Sequence, residues 1–134
     1  MRRLLAAALG CLLLAPAAGA QVPYIDYVDV EVTVVVDDAL GNAHIEVTVN
    51  GALYTPGGFT FAEAARTTSW YEPAGADTDM IRLTFGTPSG GLVPFSASYS
   101  APYAYGWWLF TVDIEYDGPG VNDWLHWETD YFVR

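Results

Sequence analysis

The residues of this chain that could do chemistry are two histidines set among many carboxylates. His44 and His126 both fall in alternating segments in which acidic residues share their side. A facing carboxylate favours the charged imidazole, so we expect either histidine to titrate near neutral pH. If Val36 pairs with Ile45 in the first predicted hairpin, Asp37 faces His44.

His126 lies on the second arm of a predicted hairpin near the end of the chain. The alternation favours a register that pairs Ile114 with Trp127 and sets Glu115 opposite His126. A slip of two residues places a neighbouring aspartate there instead. An acid therefore faces His126 in each register that keeps the apolar side chains inside, and an ordinary surface ion pair is the simplest interpretation.

Catalysis has little support in the sequence. The only cysteine is Cys11, there is no lysine, and no serine lies in a nucleophile elbow. An enzyme built on His44 and His126 would need the two hairpins that carry them to come together. We therefore predict that the protein is not an enzyme.

Calcium binding is an alternative function, because calcium takes several oxygen ligands and the predicted loops are rich in aspartate. The candidate ligands are Asp37, Asp38, Asp77, Asp79, Asp117 and Asp123. Their spacing matches no known calcium loop, and loop carboxylates commonly serve as turn formers. We expect no cofactor, with calcium as the alternative.

The aromatic residues support the main hypothesis about function. By parity, Trp107, Trp124 and Phe132 fall on the outer face of the last hairpin, and Tyr103 and Tyr105 lie on the adjoining loop. Exposed rings on a sheet can serve as platforms for sugars or proteins. We predict a non-catalytic module that binds a protein or carbohydrate partner through this patch, with a purely structural role as the alternative.

Residues 1–20 have the pattern of a secretory signal peptide. An arginine pair precedes an apolar run at residues 4–14 that is too short to span a bilayer, and Ala-Gly-Ala at residues 18–20 is a cleavage motif. We expect an extracytoplasmic protein, periplasmic or secreted, that has no transmembrane segment after cleavage. A twin-arginine signal and lipidation at Cys11 are the alternative export routes.

The charge of the chain limits its partners. The whole chain carries a formal charge of −11, with sixteen acidic residues and no lysine. Cleavage would remove two of the five arginines and none of the acids, which leaves a mature domain at −13. Nucleic acids and anionic membranes should repel such a domain, whereas cations, basic proteins and neutral ligands could bind it.

The elements that would position these residues are short alternating segments separated by turn residues. Valines at every second position from Val28 to Val36 predict a half-buried strand, and Asn50-Gly51 predicts a tight hairpin turn. A capping-box pattern from Thr60 to Glu63 predicts one short helical turn at residues 62–66.

These signals predict an all-β fold for residues 21–134. Seven to nine short strands, with at most one connector helix, are typical of a single antiparallel β-sandwich of immunoglobulin-like type. A small β-barrel is the alternative.

Overall fold

The structure is a computed structural model of the 134-residue chain. It describes residues 2–7, as backbone only, and residues 22–37, 39, 41–57, 59–61, 65–77 and 80–134. These residues form eleven strands and no helix. The strands are β1 (Arg2–Ala7), β2 (Tyr24–Asp37), β3 (Asn42–Tyr54), β4 (Thr60–Phe61), β5 (Arg66–Tyr71), β6 (Ala76–Asp77), β7 (Ile81–Arg82), β8 (Thr84–Phe85), β9 (Leu92–Pro102), β10 (Gly106–Gly118) and β11 (Val121–Val133).

Two antiparallel sheets pack against each other, so the fold is a β-sandwich, as predicted. The first sheet has the order β1-β2-β3-β9-β8, and the second has the order β11-β10-β5-β6. In the second sheet, β4 also pairs with β10, and β7 pairs with β5. The immunoglobulin-like topology stays a prediction.

The core lies between the sheets and draws one residue in two from each long strand. Val30 and Val47 of the first sheet are buried in one cluster with Phe110 and Ile114 of the second. Trp127 belongs to the same cluster. This period of two is the predicted one, because side chains of a strand point alternately to its two faces.

The first hairpin has a different register from the predicted one. Val36 lies opposite Ala43 and is exposed, and His44 lies opposite Val35 rather than Asp37. The turn determines this register, since the amide of Gly41 donates to the carbonyl of Asp37 at 2.9 Å.

Asn50-Gly51 is not a turn, and that prediction is wrong. Strand β3 continues through both residues, with Gly51 paired to Val28 on one side and to Phe95 on the other. A Cβ atom on Gly51 would overlap the Phe95 ring and the backbone oxygen of Tyr27. The glycine therefore permits close packing inside a strand and does not supply a positive φ.

The segment after residue 80 passes from one sheet to the other within a few residues. Ile81–Arg82 pairs with β5 in the second sheet, and Thr84–Phe85 pairs with β9 in the first. Leu83 is buried between them, and its amide donates to the carbonyl of Ala65 at 3.0 Å.

The predicted helical turn falls largely on residues 62–64, which lie outside the described residues. Arg66, the last residue assigned to that turn, begins β5 instead. In the part of the chain that the structure describes, no helix is long and apolar enough to cross a membrane.

Candidate functional site

The β10–β11 hairpin forms most of the outer face of the second sheet, and its register is two residues away from the favoured one. Ile114 pairs with Leu125, and Asp113, not Glu115, lies opposite His126. The turn consists of two residues, Pro119 and Gly120, with Gly120 at a φ of 72°. Proline fixes its own φ and lacks an N–H, so these two residues suit the centre of the turn better than a ladder position.

This register places three aromatic rings together at one end of the hairpin. Trp107 lies directly opposite Phe132, and their rings meet edge to face with centroids 5.1 Å apart. Tyr105 packs on the same Phe132 ring at 5.2 Å, and the guanidinium carbon of Arg134 lies 5.4 Å from its centroid. We call Tyr105, Trp107, Phe132 and Arg134 the ring cluster.

Trp70 extends the aromatic surface to β5. It lies opposite Leu109 of β10 and Asp77 of β6, and it is exposed. The predicted patch does not include Trp70, because the opposite phase of β5 holds Thr67 and Ser69, which are polar and nevertheless buried. The signal that could have placed Trp70 is its parity, because Glu72, an acidic residue, follows two positions later and falls on the same side of the strand.

Trp124 lies at the far end of the same face, away from the ring cluster. It is paired with Glu115 of β10, and the guanidinium carbon of Arg66 lies 4.8 Å from its ring centroid. A cation held over an indole face is attracted by the ring quadrupole. Arg66 therefore orients the Trp124 ring and partly offsets the acidic charge at this end.

His126 bridges two carboxylates near the middle of the face. Its Nδ1 lies 2.6 Å from Oδ1 of Asp113, and its Nε2 lies 3.0 Å from Oε1 of Glu128. Only the protonated ring can donate from both nitrogens, so the hydrogen bond to Asp113, followed by the one to Glu128, raises the pKa of His126. The imidazole is half exposed, which limits its contribution to stability.

A pair of carboxyl groups separates the histidine from the ring cluster. Glu72 and Asp130 share a side-chain hydrogen bond, which raises the pKa of Glu72. The amide of Glu72 also donates to the carbonyl of Trp107 at 3.1 Å, which links this pair to the ring cluster.

Tyr103 lies apart from the other rings of the predicted patch. With Tyr71, Asp77 and Trp108 it lines a pocket of about 160 Å³ at the end of the sandwich. The indole Nε1 of Trp108 donates to the carbonyl of Ala104 at 3.1 Å, which holds this loop against the core. The predicted patch is thus divided, since Tyr103 belongs to the pocket and Tyr105 to the ring cluster.

The predicted calcium ligands are spread over separate turns. Asp37 accepts the amide of Ala39 at 3.1 Å, Asp123 accepts the amide of Trp124 at 2.8 Å, and Asp117 accepts a hydrogen bond from Asn122. Asp77 lies on β6, and Asp38 and Asp79 lie outside the described residues. Among the residues described, no group of three His, Cys, Asp or Glu side chains could hold a metal ion.

The two histidines lie on different sheets. His44 is on the outer side of β3, where its Nε2 is 3.6 Å from Oε2 of Glu46, and His126 is on the outer side of β11. The whole core of the sandwich therefore separates them. The joint site that a two-histidine enzyme would require is not formed.

Comparison with protein-family models, with curated proteins and with solved structures found no match for this chain. The case for a function therefore depends on the chemistry of its own residues.

Proposed function

We propose that this protein is an exported, non-catalytic module that binds a carbohydrate chain through the outer face of its second sheet. One observation carries the proposal: Trp70, Trp107 and Trp124 lie on this one face and are 40%, 49% and 40% exposed. Large apolar rings rarely stay in water together on a monomer unless they contact something. If each of their strands were shifted by one residue, the same three rings would face the core and not the solvent.

Carbohydrate suits the chemistry of this face. The C–H surfaces of a sugar ring can pack on the electron-rich face of an indole, and its hydroxyl groups can donate to carboxylates. Glu72, Glu128 and Asp130 supply such acceptors between the rings. The rings project from paired strands over a packed core, so little conformational entropy would be lost on binding.

The spacing of the rings favours an extended ligand over a single sugar. On β11, Trp124 and Phe132 are eight residues apart, which corresponds to about 26 Å along a strand. Trp70 and Leu109 lie between these two ends. A chain of several sugar units could contact both ends of the face at once.

A basic protein partner is the second candidate, and the charge of the face favours it. Asp113, Glu115, Glu128 and Asp130 all lie on this side of the β10–β11 hairpin, and Arg66 and Arg134 offset only part of their charge. Association driven by such a field weakens as salt is added, whereas stacking of neutral sugars does not.

Titration of the exported protein tests the proposal, with tryptophan fluorescence as the readout. We expect neutral oligosaccharides to bind with an affinity that added salt does not change, and we expect to recover them uncut. Trp107→Ala or Trp124→Ala should each weaken binding about tenfold. Tyr27→Ala is the matched control, because Tyr27 is an exposed ring of the first sheet.

Two results would count against carbohydrate. Binding of a polyarginine peptide but of no neutral oligosaccharide, with loss of binding in high salt, would indicate the protein partner. Hydrolysis of the oligosaccharide would contradict a non-catalytic role.

Calcium binding by the aspartate-rich loops stays a prediction of the sequence. Thermal unfolding with and without millimolar calcium tests it, since a ligand that binds only the folded state raises the melting temperature. If our proposal is right, the midpoint does not change. A calcium-dependent rise would favour the metal hypothesis, and Asp117→Asn and Asp37→Asn would then locate the site.

A further inference from the structure

We infer that the outer edge of β2 is a docking site for a strand from another protein. In the proposed complex, an extended segment with alternating apolar and basic residues pairs with β2 after the leader is removed. This site lies on the edge of the first sheet and is separate from the outer face of the second.

The outer edge of β2 is occupied by a segment that we expect to be cleaved. Strand β1 pairs antiparallel with β2, from Arg2 opposite Val32 to Ala7 opposite Tyr27. All of β1 lies within residues 1–20, the predicted signal peptide. Cleavage after residue 20 would remove the strand and leave the hydrogen-bonding groups on that side of β2 without a ladder partner.

The exposed edge would be long and regular. Strand β2 has 14 residues, whereas strands of globular proteins usually have about 5–6. It contains no proline, and its one irregularity is a register shift between Ile25 and Tyr27, beyond the part that β1 covers. Proteins commonly protect an edge with prolines, bulges or short strands, and an edge without these devices is a template for pairing.

The register shows what kind of strand fits this edge. On the inner side, Val28 and Val30 are buried and lie opposite the positions of Ala6 and Leu4. The incoming strand therefore needs apolar residues at these two positions, whereas the end of the pairing, where Arg2 lies opposite Val32, does not require one. On the outer side, Glu31 lies opposite the position of Arg3. Opposite charges at directly paired positions stabilise antiparallel strands, so the matching position of a partner is basic.

A second copy of this chain fits the edge poorly. If two β2 strands paired antiparallel about Val30, Asp29 of each copy would lie opposite Glu31 of the other. Like charges at directly opposed positions are destabilising. The cleaved chains would also repel each other, because each carries sixteen acidic residues against three arginines.

The test begins with the protein as it is exported by a secreting host. Its mass should correspond to a chain that starts at Gln21. A synthetic peptide with the sequence of β1 and polar flanks is then titrated against it. Between Tyr27 and Val32, the alternate amides that face the edge should exchange about tenfold or more slowly with bound peptide. The amides that bond to β3 and those of β11 should not change.

Two controls separate strand pairing from adsorption. The same peptide with prolines at alternate positions lacks the required N–H donors and should give no protection. Glu31→Arg should weaken binding of the unaltered peptide about fivefold at low salt. Glu46→Arg makes the same charge change on the same face, but on β3, which lies between β2 and β9 and does not contact the edge, so binding should be retained.

Several outcomes would overturn the inference. An exported protein that retains residues 1–20 would already have its edge filled by its own β1. Equal binding of the proline peptide would indicate adsorption, and absence of protection would show that the edge does not accept a strand. A concentration-dependent dimer with protected β2 amides would make a second copy the occupant.

Discussion

The two outer faces of the sandwich differ sharply, although both sheets cover the same core. The outer face of the first sheet presents charged residues such as Glu31 and Glu46 beside many small polar side chains, namely Thr33, Thr48, Asn50, Ser96, Ser98 and Ser100. The outer face of the second presents tryptophans and carboxylates. Because a sheet needs only one apolar face to fold, the outer composition is free to serve another purpose. Small polar groups suffice for solubility, so the rings of the second sheet require a separate explanation.

The same contrast occurs between two neighbouring tryptophans of β10. Trp107 is 49% exposed and packs on Phe132 in the ring cluster, whereas Trp108 is 3% exposed. Trp108 stacks beside Phe110 and tilts against Tyr71 at 5.2 Å. One residue type thus has two roles, which the alternation of the strand separates.

The largest expected effect comes from removing the buried ring of Trp108. Trp108→Ala should lower the free energy of unfolding by about 3–5 kcal/mol, since it leaves a cavity and removes the donor to Ala104. Trp107→Ala should lower it by less than about 1 kcal/mol, because this ring is half in water already. Urea denaturation of both variants measures the difference. Equal losses would show that Trp107 is a structural residue.

A smaller effect is expected at Gly51 in the first sheet, where the lack of a side chain allows close packing. Gly51→Ala should cost about 1–3 kcal/mol, because the added methyl group meets the Phe95 ring and a backbone oxygen. Gly57→Ala is the control, since a Cβ there has no neighbour within 4 Å and the residue has no positive φ. Thermal unfolding would compare the two, and similar midpoints would contradict the packing argument.

Gly51 also illustrates what the sequence could reveal about the fold. The inner phase of each long strand could be predicted, since a period of two depends only on local geometry. The prediction of a turn at Asn50-Gly51 is wrong because glycine is required there by the close approach of Phe95, which is 44 residues away in the chain. Local propensity does not depend on such a long-range contact and so cannot predict it. The change of sheet at Leu83 could not be predicted for the same reason.

The candidate site was predictable in part. Parity placed Trp107, Phe132 and Trp124 on one face, and the pairing of His126 with an acid needed no exact register. The ring cluster itself depends on the register, which the Pro119–Gly120 turn sets. Trp70 and Arg66 could not be added to the face from the sequence, because nothing local shows that β5 lies beside β10.

The smallest expected effect concerns the charge balance of the second face. The two carboxylates beside His126 raise its pKa above the ordinary value of 6.5. The protonated form is therefore favoured by folding, and its contribution is fully present below about pH 6.5 and is lost as the pH rises through the pKa in the folded state. Because the ring is half exposed, this contribution is a few tenths of a kcal/mol to about 1 kcal/mol.

His126→Gln isolates this contribution. The variant should be less stable than the parent at about pH 6, and the difference should shrink as the pH rises and as salt is added. His44→Gln is the matched control on the first sheet, because His44 lies 3.6 Å from its carboxylate, too far for a hydrogen bond. Urea denaturation across the pH range would measure both. Equal pH dependence in the two variants would remove the electrostatic distinction between the faces, and the case for a binding face would then depend on the rings alone.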